Sequence, residues 1–382
     1  MSRRRGIARS RRAAGLTPRL TARLAPSLAA RLAPGLAAGL ALGLALAGTA
    51  AADTPITGRP SWQLKFADQY LKPVQGHSQY LVVIAEPRDS WFFGGSNLAG
   101  RGVPEVIRRT GGKWQFPALP HGLRSWIAAA SAQSPRDIWA VTYLGGAVLH
   151  WTGSTWSTEP RGNWAAGTQF TGINAVGAKS VWLFGAGGRT FPGAGTWHWN
   201  GSGWTRARGI AGAVRRASAL SPTDIWAIGG IGGSLNALLQ LRGTTWRHVS
   251  PAALAGFRYS DVVALGRGNV WVAGSVAGIP KLAHFDGTAW TAATMPGSVP
   301  ATGICRDGRG GVWVIANSSH GPSVLRERSA TGHWATATVS SSSADEVVAC
   351  AWLPRSTDVW GAGKSMAVHG SAAAIYGFGK VP

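Results

Sequence analysis

The sequence predicts an all-β fold, a seven-bladed β-propeller of four-stranded blades, in which an N-terminal strand completes the last blade. One observation is a set of seven tryptophans that recur every 42 to 48 residues: Trp91, Trp139, Trp182, Trp226, Trp271, Trp313 and Trp360. A second set follows at another fixed place in the repeat: Trp114, Trp156, Trp204, Trp246, Trp290 and Trp334. Units that recur at such a spacing bury their apolar faces only by packing against each other.

Each repeat can be divided into four short strands, A to D. In one unit these are residues 172–177, 181–185, 196–201 and 203–207, rich in β-branched or aromatic residues and bounded by Gly, Asn or Ser. The first tryptophan falls in strand B and the second in strand D. Turn-forming residue types stand two positions before the first tryptophan: Asp89, Asp137, Ser180, Asp224, Asn269, Gly311 and Asp358.

Three histidines, His150, His198 and His284, share one position at the end of strand C. A metal site would need them to converge on one ion. Because they belong to three different blades, we interpret them as the polar edges of an aromatic layer, and we predict neither a metal nor a cofactor.

The last repeat has Trp360 but no second tryptophan, and the first strand-like run, residues 61–66 (SWQLKF), has no blade of its own. We therefore predict that Trp62 belongs to the seventh blade and lies beside Ile375 and Tyr376. Joining both chain ends in one sheet removes the exposed edges of an open array.

The two cysteines, Cys305 and Cys350, are 45 residues apart, which is one repeat. Both fall on strand A of neighbouring blades with the same parity. We predict a disulfide between blades 6 and 7, which an exported protein can form.

The N-terminal segment has the layout of a secretory signal peptide. Residues 1–52 carry nine arginines and no acidic residue, residues 32–47 are apolar, and small residues precede Asp53. Two Ser-Arg-Arg steps resemble a twin-arginine signal, so the general and the twin-arginine routes both stay open. We expect residues 1–52 to be the signal and residues 53–382 to be one secreted, extracellular propeller domain, a monomer with no membrane span after signal removal.

Residues 53–382 have a net charge of +14, which favours anionic partners. The basic residues are scattered and form no basic helix or long Lys/Arg run, so we do not expect nucleic acid to be the partner.

Three segments carry a family resemblance. Residues 224–230 (DIWAIGG) and 284–290 (HFDGTAW), the latter followed by Met295-Pro296, resemble kelch repeats. Residues 153–156 (GSTW) and 287–290 (GTAW) resemble the Gly-x-Thr-Trp end of the sialidase Asp-box, although the Asp that names that box is absent. The resemblance covers residues 60–380 and implies a propeller, a fold that hosts many unrelated activities.

Recognition is expected on the D–A and B–C loops, which open around the central channel of a propeller. The B–C loops at residues 94–104 and 186–195 are the longest. The candidate ligand-binding residues on these loops are Arg124, Arg189, Arg215, Arg258, Tyr259, Asp261, His320 and Glu346.

Three functions are open on this face. The leading one is an extracellular binding module for an anionic glycan, a wall polymer or a protein. A carbohydrate-active enzyme would need two carboxylates facing one sugar. For a sialidase-like site, Arg215, Arg258, Tyr259 and Asp261 could be recruited, but their spacing does not require it, and we assign no catalytic residue. A purely structural module is the third possibility.

Overall fold

A computed structural model describes residues 54–55, 61–67, 78–98, 101–186, 195–207, 213–231, 234–317, 323–339, 345–365 and 372–382. They form seven sheets, each containing four antiparallel strands. Strand A of every blade contacts strand A of the next, and strand A of blade 7 contacts that of blade 1. The predicted seven-bladed propeller is therefore confirmed, with the A strands around a central channel.

The first four blades follow the chain in order, with strands A to D given in turn. Blade 1 has Ser78–Ile84, Asp89–Leu98, Arg101–Thr110 and Lys113–Gln115. Blade 2 has Ile127–Ser134, Asp137–Thr142, Val148–Trp151 and Trp156–Thr158. Blade 3 has Gln169–Gly177, Ser180–Ala186, Thr196–Trp199 and Trp204–Arg206. Blade 4 has Val214–Ser221, Asp224–Ile231, Ser234–Arg242 and Thr245–Val249.

The remaining blades include both chain ends. Blade 5 has Phe257–Gly266, Asn269–Val276, Ile279–Phe285 and Trp290–Thr294. Blade 6 has Ala301–Arg306, Val312–Ala316, Val324–Arg328 and Trp334–Thr338. Blade 7 has Glu346–Trp352, Val359–Ser365 and Ala372–Phe378, with the N-terminal Gln63–Ala67 as strand D. A 3-10 turn, Ala252–Leu254, precedes blade 5, and no helix of the described residues is long and apolar enough to cross a membrane.

The two tryptophan sets meet across the blade boundaries. Trp91 in strand B of blade 1 packs edge-on against Trp156 in strand D of blade 2, with ring centroids 5.8 Å apart at 82°. Trp182 and Trp246 repeat this contact between blades 3 and 4, at 6.2 Å and 85°. Edge-to-face packing is a favoured geometry for aromatic pairs. The repeated tryptophans thus join each blade to the next.

The N-terminal strand closes the ring as predicted. Gln63 pairs with Gly377 and Leu64 with Tyr376 in an antiparallel ladder. Trp62 is fully buried and lies edge-on to Trp313 of blade 6, with centroids 5.7 Å apart at 88°. Trp62 therefore makes the inter-blade contact that the other strand-D tryptophans make.

One part of this closure has no sequence signal. Thr54–Pro55 pairs in parallel with strand D of blade 6 and adds a fifth strand to that sheet. Trp62 continues the parallel alignment through a bridge to Val339. The N-terminal segment therefore contacts blade 6 before it enters blade 7.

The predicted disulfide is confirmed. Cys305 and Cys350 are bonded, with their Cα atoms 5.8 Å apart, on the A strands of blades 6 and 7. The bond crosses the same blade boundary as the N-terminal segment.

The prediction of a long B–C loop at residues 94–104 is wrong, because most of these residues belong to strands B and C. Strand B of blade 1 continues to Leu98 and strand C begins at Arg101, with Ser96 paired to Val103. A Cβ on Gly94 would clash with the backbone oxygen of Gln79. The glycine in this run therefore permits close strand contact and does not mark a loop. The other expected long loop, residues 186–195, falls mainly outside the described residues.

The strand-C histidines belong to the scaffold. His150 stacks on Trp139 and His284 on Trp271, with centroids 4.1 and 4.0 Å apart. In both blades the histidine Nε2 hydrogen-bonds the turn residue two positions before the tryptophan, as His284 does to Asn269 at 3.0 Å. In blade 4 the same position is Gln240, which donates to Asp224 at 3.2 Å.

The lowered pKa values of two of these histidines lead us to expect that the protein loses stability in acid. Burial lowers the pKa of His198; burial also lowers that of His284, where Arg328 acts in the same direction and Asp286 opposes. Because its histidines have the higher pKa, the unfolded chain binds protons more readily than the folded chain. The stabilising contribution of His198 and His284 is therefore present above the unfolded pKa near 6.5, and it is lost as the pH falls below that value. We expect His198→Gln/His284→Gln to flatten the fall in unfolding free energy between neutral and mildly acidic pH, measured by denaturant titration.

The natural Gln240 shows that glutamine suits this position of the repeat. His121→Gln, at an exposed loop position, is the matched control. An unchanged pH slope in the double variant would contradict the prediction.

Candidate binding face

Two concave regions lie on the face formed by the D–A and B–C connections. The channel cavity, about 420 Å³, is lined by strand-A residues of all seven blades together with Trp126 and Tyr143. The blade 4/5 cleft, about 880 Å³, is lined by Arg215, Asn236, His248 and residues 250–259 except Ala253. Both volumes fall in the range of small-molecule sites.

A bulge near the start of every A strand shapes this face. The ladder between strands A and B skips one residue in each blade: Leu81, Ala128, Thr171, Arg215, Ser260, Thr302 and Val348. A bulge changes the direction of the side chains around it. In blade 4 the adjacent residues Arg215 and Arg216 line different regions, the cleft and the channel cavity.

Three predicted residues, Arg215, Arg258 and Tyr259, come together in the blade 4/5 cleft. Arg215 Nη2 donates to the backbone oxygen of Tyr259 at 3.2 Å, across the blade boundary. Asn236 joins the same two blades, because its Nδ2 donates to Phe257 O at 2.7 Å and its Oδ1 accepts from Tyr259 N at 2.8 Å. Arg258 is exposed, whereas Tyr259 is buried.

The cleft is electropositive. Burial and the neighbouring charge of Arg216 lower the pKa of the Arg215 guanidinium. Among the described residues that line the cleft there is no Asp or Glu, whereas Arg215, Arg258 and His248 are present. Since a partly buried cation without a counter-ion is costly, an anion placed here would be attracted and would stabilise Arg215.

Asp261 lies in the channel cavity and joins blades 5 and 6. Its Oδ1 accepts from Val262 N at 2.8 Å and its Oδ2 from Ile304 N at 3.1 Å. Arg216 Nε lies 3.8 Å from Oδ1. Burial raises the pKa of Asp261, while Arg216 and the two backbone N–H groups oppose that shift. Both oxygens thus accept backbone hydrogen bonds, and the Oδ2 bond joins blade 5 to blade 6.

Two other predicted site residues, Arg124 and Glu346, are not among the residues that line the cleft. Arg124 is exposed in the D–A connection before blade 2. Glu346, at the start of blade 7, forms an ion pair with Lys364 at 2.6 Å. Arg189 and His320 lie outside the described residues.

The cleft is lined by cationic groups, whereas the channel cavity is lined by groups of both charges. Asp261 is the one carboxylate among the described residues that line either region. Within the described part of the chain, no three His, Cys, Asp or Glu residues are grouped as a metal site would require.

Sequence reasoning missed the aromatic pair at the channel mouth. The rings of Trp126 and Tyr143 are stacked, 5.2 Å apart and 14° from parallel. A signal was present, because Trp126 is outside both repeated tryptophan sets. Its partner could not be read from the sequence, since Tyr143 follows strand B and meets Trp126 only in the folded blade.

The fold places the chain among seven-bladed β-propellers. No protein-family model matches it, and comparison with curated proteins gives no match. The solved structure described as YCF48 bound to D1 peptide is 16% identical, with 81% of this chain and 97% of that chain covered and a TM-score of 0.52.

Two further solved structures share this fold. The WD40 domain of Toxoplasma gondii coronin is 12% identical, over 86% of this chain and 88% of that one, with a TM-score of 0.53. The extracellular domain of a putative one-component system from B. thetaiotaomicron is 12% identical, over 79% of this chain and 38% of that one, with a TM-score of 0.53. At these identities the likeness concerns the fold.

Proposed function

We propose that the protein is an exported interaction module that binds an anionic polymer, a glycan or wall polymer, in the blade 4/5 cleft. The observation that carries the proposal is the set of cationic side chains that line the cleft without a carboxylate among the described lining residues. Arg258 is exposed and Arg215 is held in place by Tyr259, so the first can reach a ligand and the second is already positioned. Pre-positioned groups lose less entropy on binding.

Export is the cellular setting of this proposal. The arginine-rich start, the apolar run and the small residues before Asp53 support a signal peptide over residues 1–52. The disulfide between Cys305 and Cys350 supports an oxidising compartment. Secretion would bring the cleft into contact with extracellular polymers.

We propose the repeat itself as a kelch-like or Asp-box-like variant. Residues 284–290 support this, because Asp286 Oδ1 accepts hydrogen bonds from the backbone N–H groups of Thr288 and Ala289, each at 2.8 Å, and orders the C–D turn before Trp290. This role is structural and leaves recognition to the opposite face.

Binding is favoured over hydrolysis on this face. The usual glycosidase route needs two carboxylates about 5–10 Å apart around one bond. Asp261 alone lines the two regions within the described residues, and its oxygens accept backbone hydrogen bonds. A free nucleophile and a free acid are therefore not paired there.

Binding to polygalacturonate and heparin, with neutral dextran as a reference, tests the proposal. We expect the two anionic polymers to bind and to weaken as salt rises, because salt screens exposed charges. Arg258→Ala should weaken binding about tenfold, the loss of one charge-assisted contact. Isothermal titration calorimetry at low and physiological salt gives both quantities.

Arg136→Ala is the matched control, since it removes an exposed arginine from an A–B turn on the opposite face. Equal weakening in the two variants would mean that net charge alone attracts the polymer. Retention of dextran as tightly as of the anionic polymers would also contradict the proposal.

A further inference from the structure

The channel mouth has a chemistry different from that of the cleft. The stacked pair Trp126 and Tyr143 lies at one side of a cavity whose walls are mostly aliphatic. Arg216 and Asp261 face the same cavity as a pair of opposite charges 3.8 Å apart. We propose that the channel cavity is a second binding site, which takes one or two neutral sugar rings and is independent of the anion site in the cleft.

The aromatic pair is held in position by backbone hydrogen bonds. Tyr143 N donates to the backbone oxygen of Trp126 at 3.0 Å, and Tyr143 O accepts from Phe170 N of blade 3 at 3.1 Å. Leu144 N donates to Ser125 Oγ at 3.0 Å, so the residue after Tyr143 is also bonded to the residue before Trp126. Both rings are half-buried. The surface is thus preformed, as sites for small ligands usually are.

Trp126 differs from the tryptophans that build the ring. Trp91 and Trp226, for example, have side chains that are at most 2% exposed, and they pack against strand-D tryptophans of the next blade. Trp126 instead stacks on Tyr143 of its own blade and lines the cavity. A large half-buried aromatic pair in a cavity is a usual component of a ligand site.

The polar groups indicate a neutral partner. The charges of Arg216 and Asp261 offset each other within the cavity, whereas the cleft has cations alone. Arg216 is half-exposed, so its guanidinium can donate to a ligand. Asn174 and Thr302 add uncharged hydrogen-bonding side chains to the wall.

A pyranose matches this combination. One face of the ring carries C–H groups, whose positive edges favour the negative face of an aromatic side chain. Its rim carries hydroxyl groups, which can accept from Arg216 and donate to Asn174 Oδ1, a buried atom with no hydrogen-bond partner in the described structure. A volume of about 420 Å³ is within the range of small-molecule sites.

The test is binding of cellobiose, maltose and N,N′-diacetylchitobiose at millimolar concentrations, followed by saturation-transfer NMR and calorimetry. We expect at least one of them to bind wild-type protein, and Trp126→Ala to weaken that binding at least tenfold. Arg216→Gln, which retains the aromatic pair, should also weaken it and serves if the tryptophan variant does not fold. Phe116→Ala, which removes an exposed aromatic ring outside the cavity, should bind as wild type.

Arg258→Ala separates this proposal from the cleft. It should leave disaccharide binding unchanged, whatever its effect on anionic polymers. The proposal is overturned if none of the three disaccharides binds, if folded Trp126→Ala and Arg216→Gln both bind as tightly as wild type, or if Arg258→Ala abolishes the binding.

Discussion

Trp62→Ala is expected to lower the free energy of unfolding by about 3–5 kcal/mol, the usual cost of removing a large buried aromatic side chain. Trp62 is fully buried and contacts Trp313 of blade 6 and Phe378 of blade 7. Removal of its side chain would leave a cavity between blade 6 and blade 7, where the N-terminal strand closes the ring. Guanidinium unfolding monitored by circular dichroism measures the change.

The expected loss concerns the whole ring, because each blade is stabilised by its neighbours. The unfolding midpoint should therefore move as one transition. Phe116→Ala, at a side chain that is 59% exposed, is the control and should change stability by no more than about 0.5 kcal/mol. If the unfolding midpoint of Trp62→Ala were unchanged and protease removed only its N-terminal strand, the prediction would be wrong. Closure would then stabilise the chain end and not the whole ring.

Removing the disulfide is the second large effect. In the oxidised protein Cys305 and Cys350 join positions 45 residues apart. Loop-closure entropy for a loop of this length predicts a loss of about 4 kcal/mol when the bond is absent. We expect Cys305→Ala/Cys350→Ala to unfold at a correspondingly lower denaturant concentration than the oxidised wild type.

Reductant provides the internal control. It should shift oxidised wild type toward the double variant and leave the double variant unchanged. Wild type and double variant with the same midpoint would contradict the prediction.

The blade order, the ring closure and the disulfide could be predicted because each depends on the repeat spacing. Trp62 takes the place that is missing after Trp360, and the cysteines are one repeat apart. The parallel pairing of Thr54–Pro55 could not be predicted, since two residues carry no periodicity. The extended hairpin of blade 1 was missed because its glycines suit a loop and a close strand contact equally.

The candidate site could be predicted only in part. Arg215 and Tyr259 start neighbouring A strands, so their proximity follows from the repeat. The repeat does not predict which side Arg215 and Arg216 face, because a bulge changes the strict alternation of side chains along a strand. The ladder skips Arg215, which places Arg216 in the channel cavity beside Asp261.

The N-terminal strand has a consequence for biosynthesis. Gln63–Ala67 is translated before every blade, yet its antiparallel partner Ala372–Phe378 comes at the opposite end of the chain. The nascent polypeptide therefore carries an unpaired strand until Ala372–Phe378 has been synthesised, and such strands are prone to aggregate. This topology makes closure of the ring a long-range step of folding, and such steps are slow because the loop must close before its contacts form.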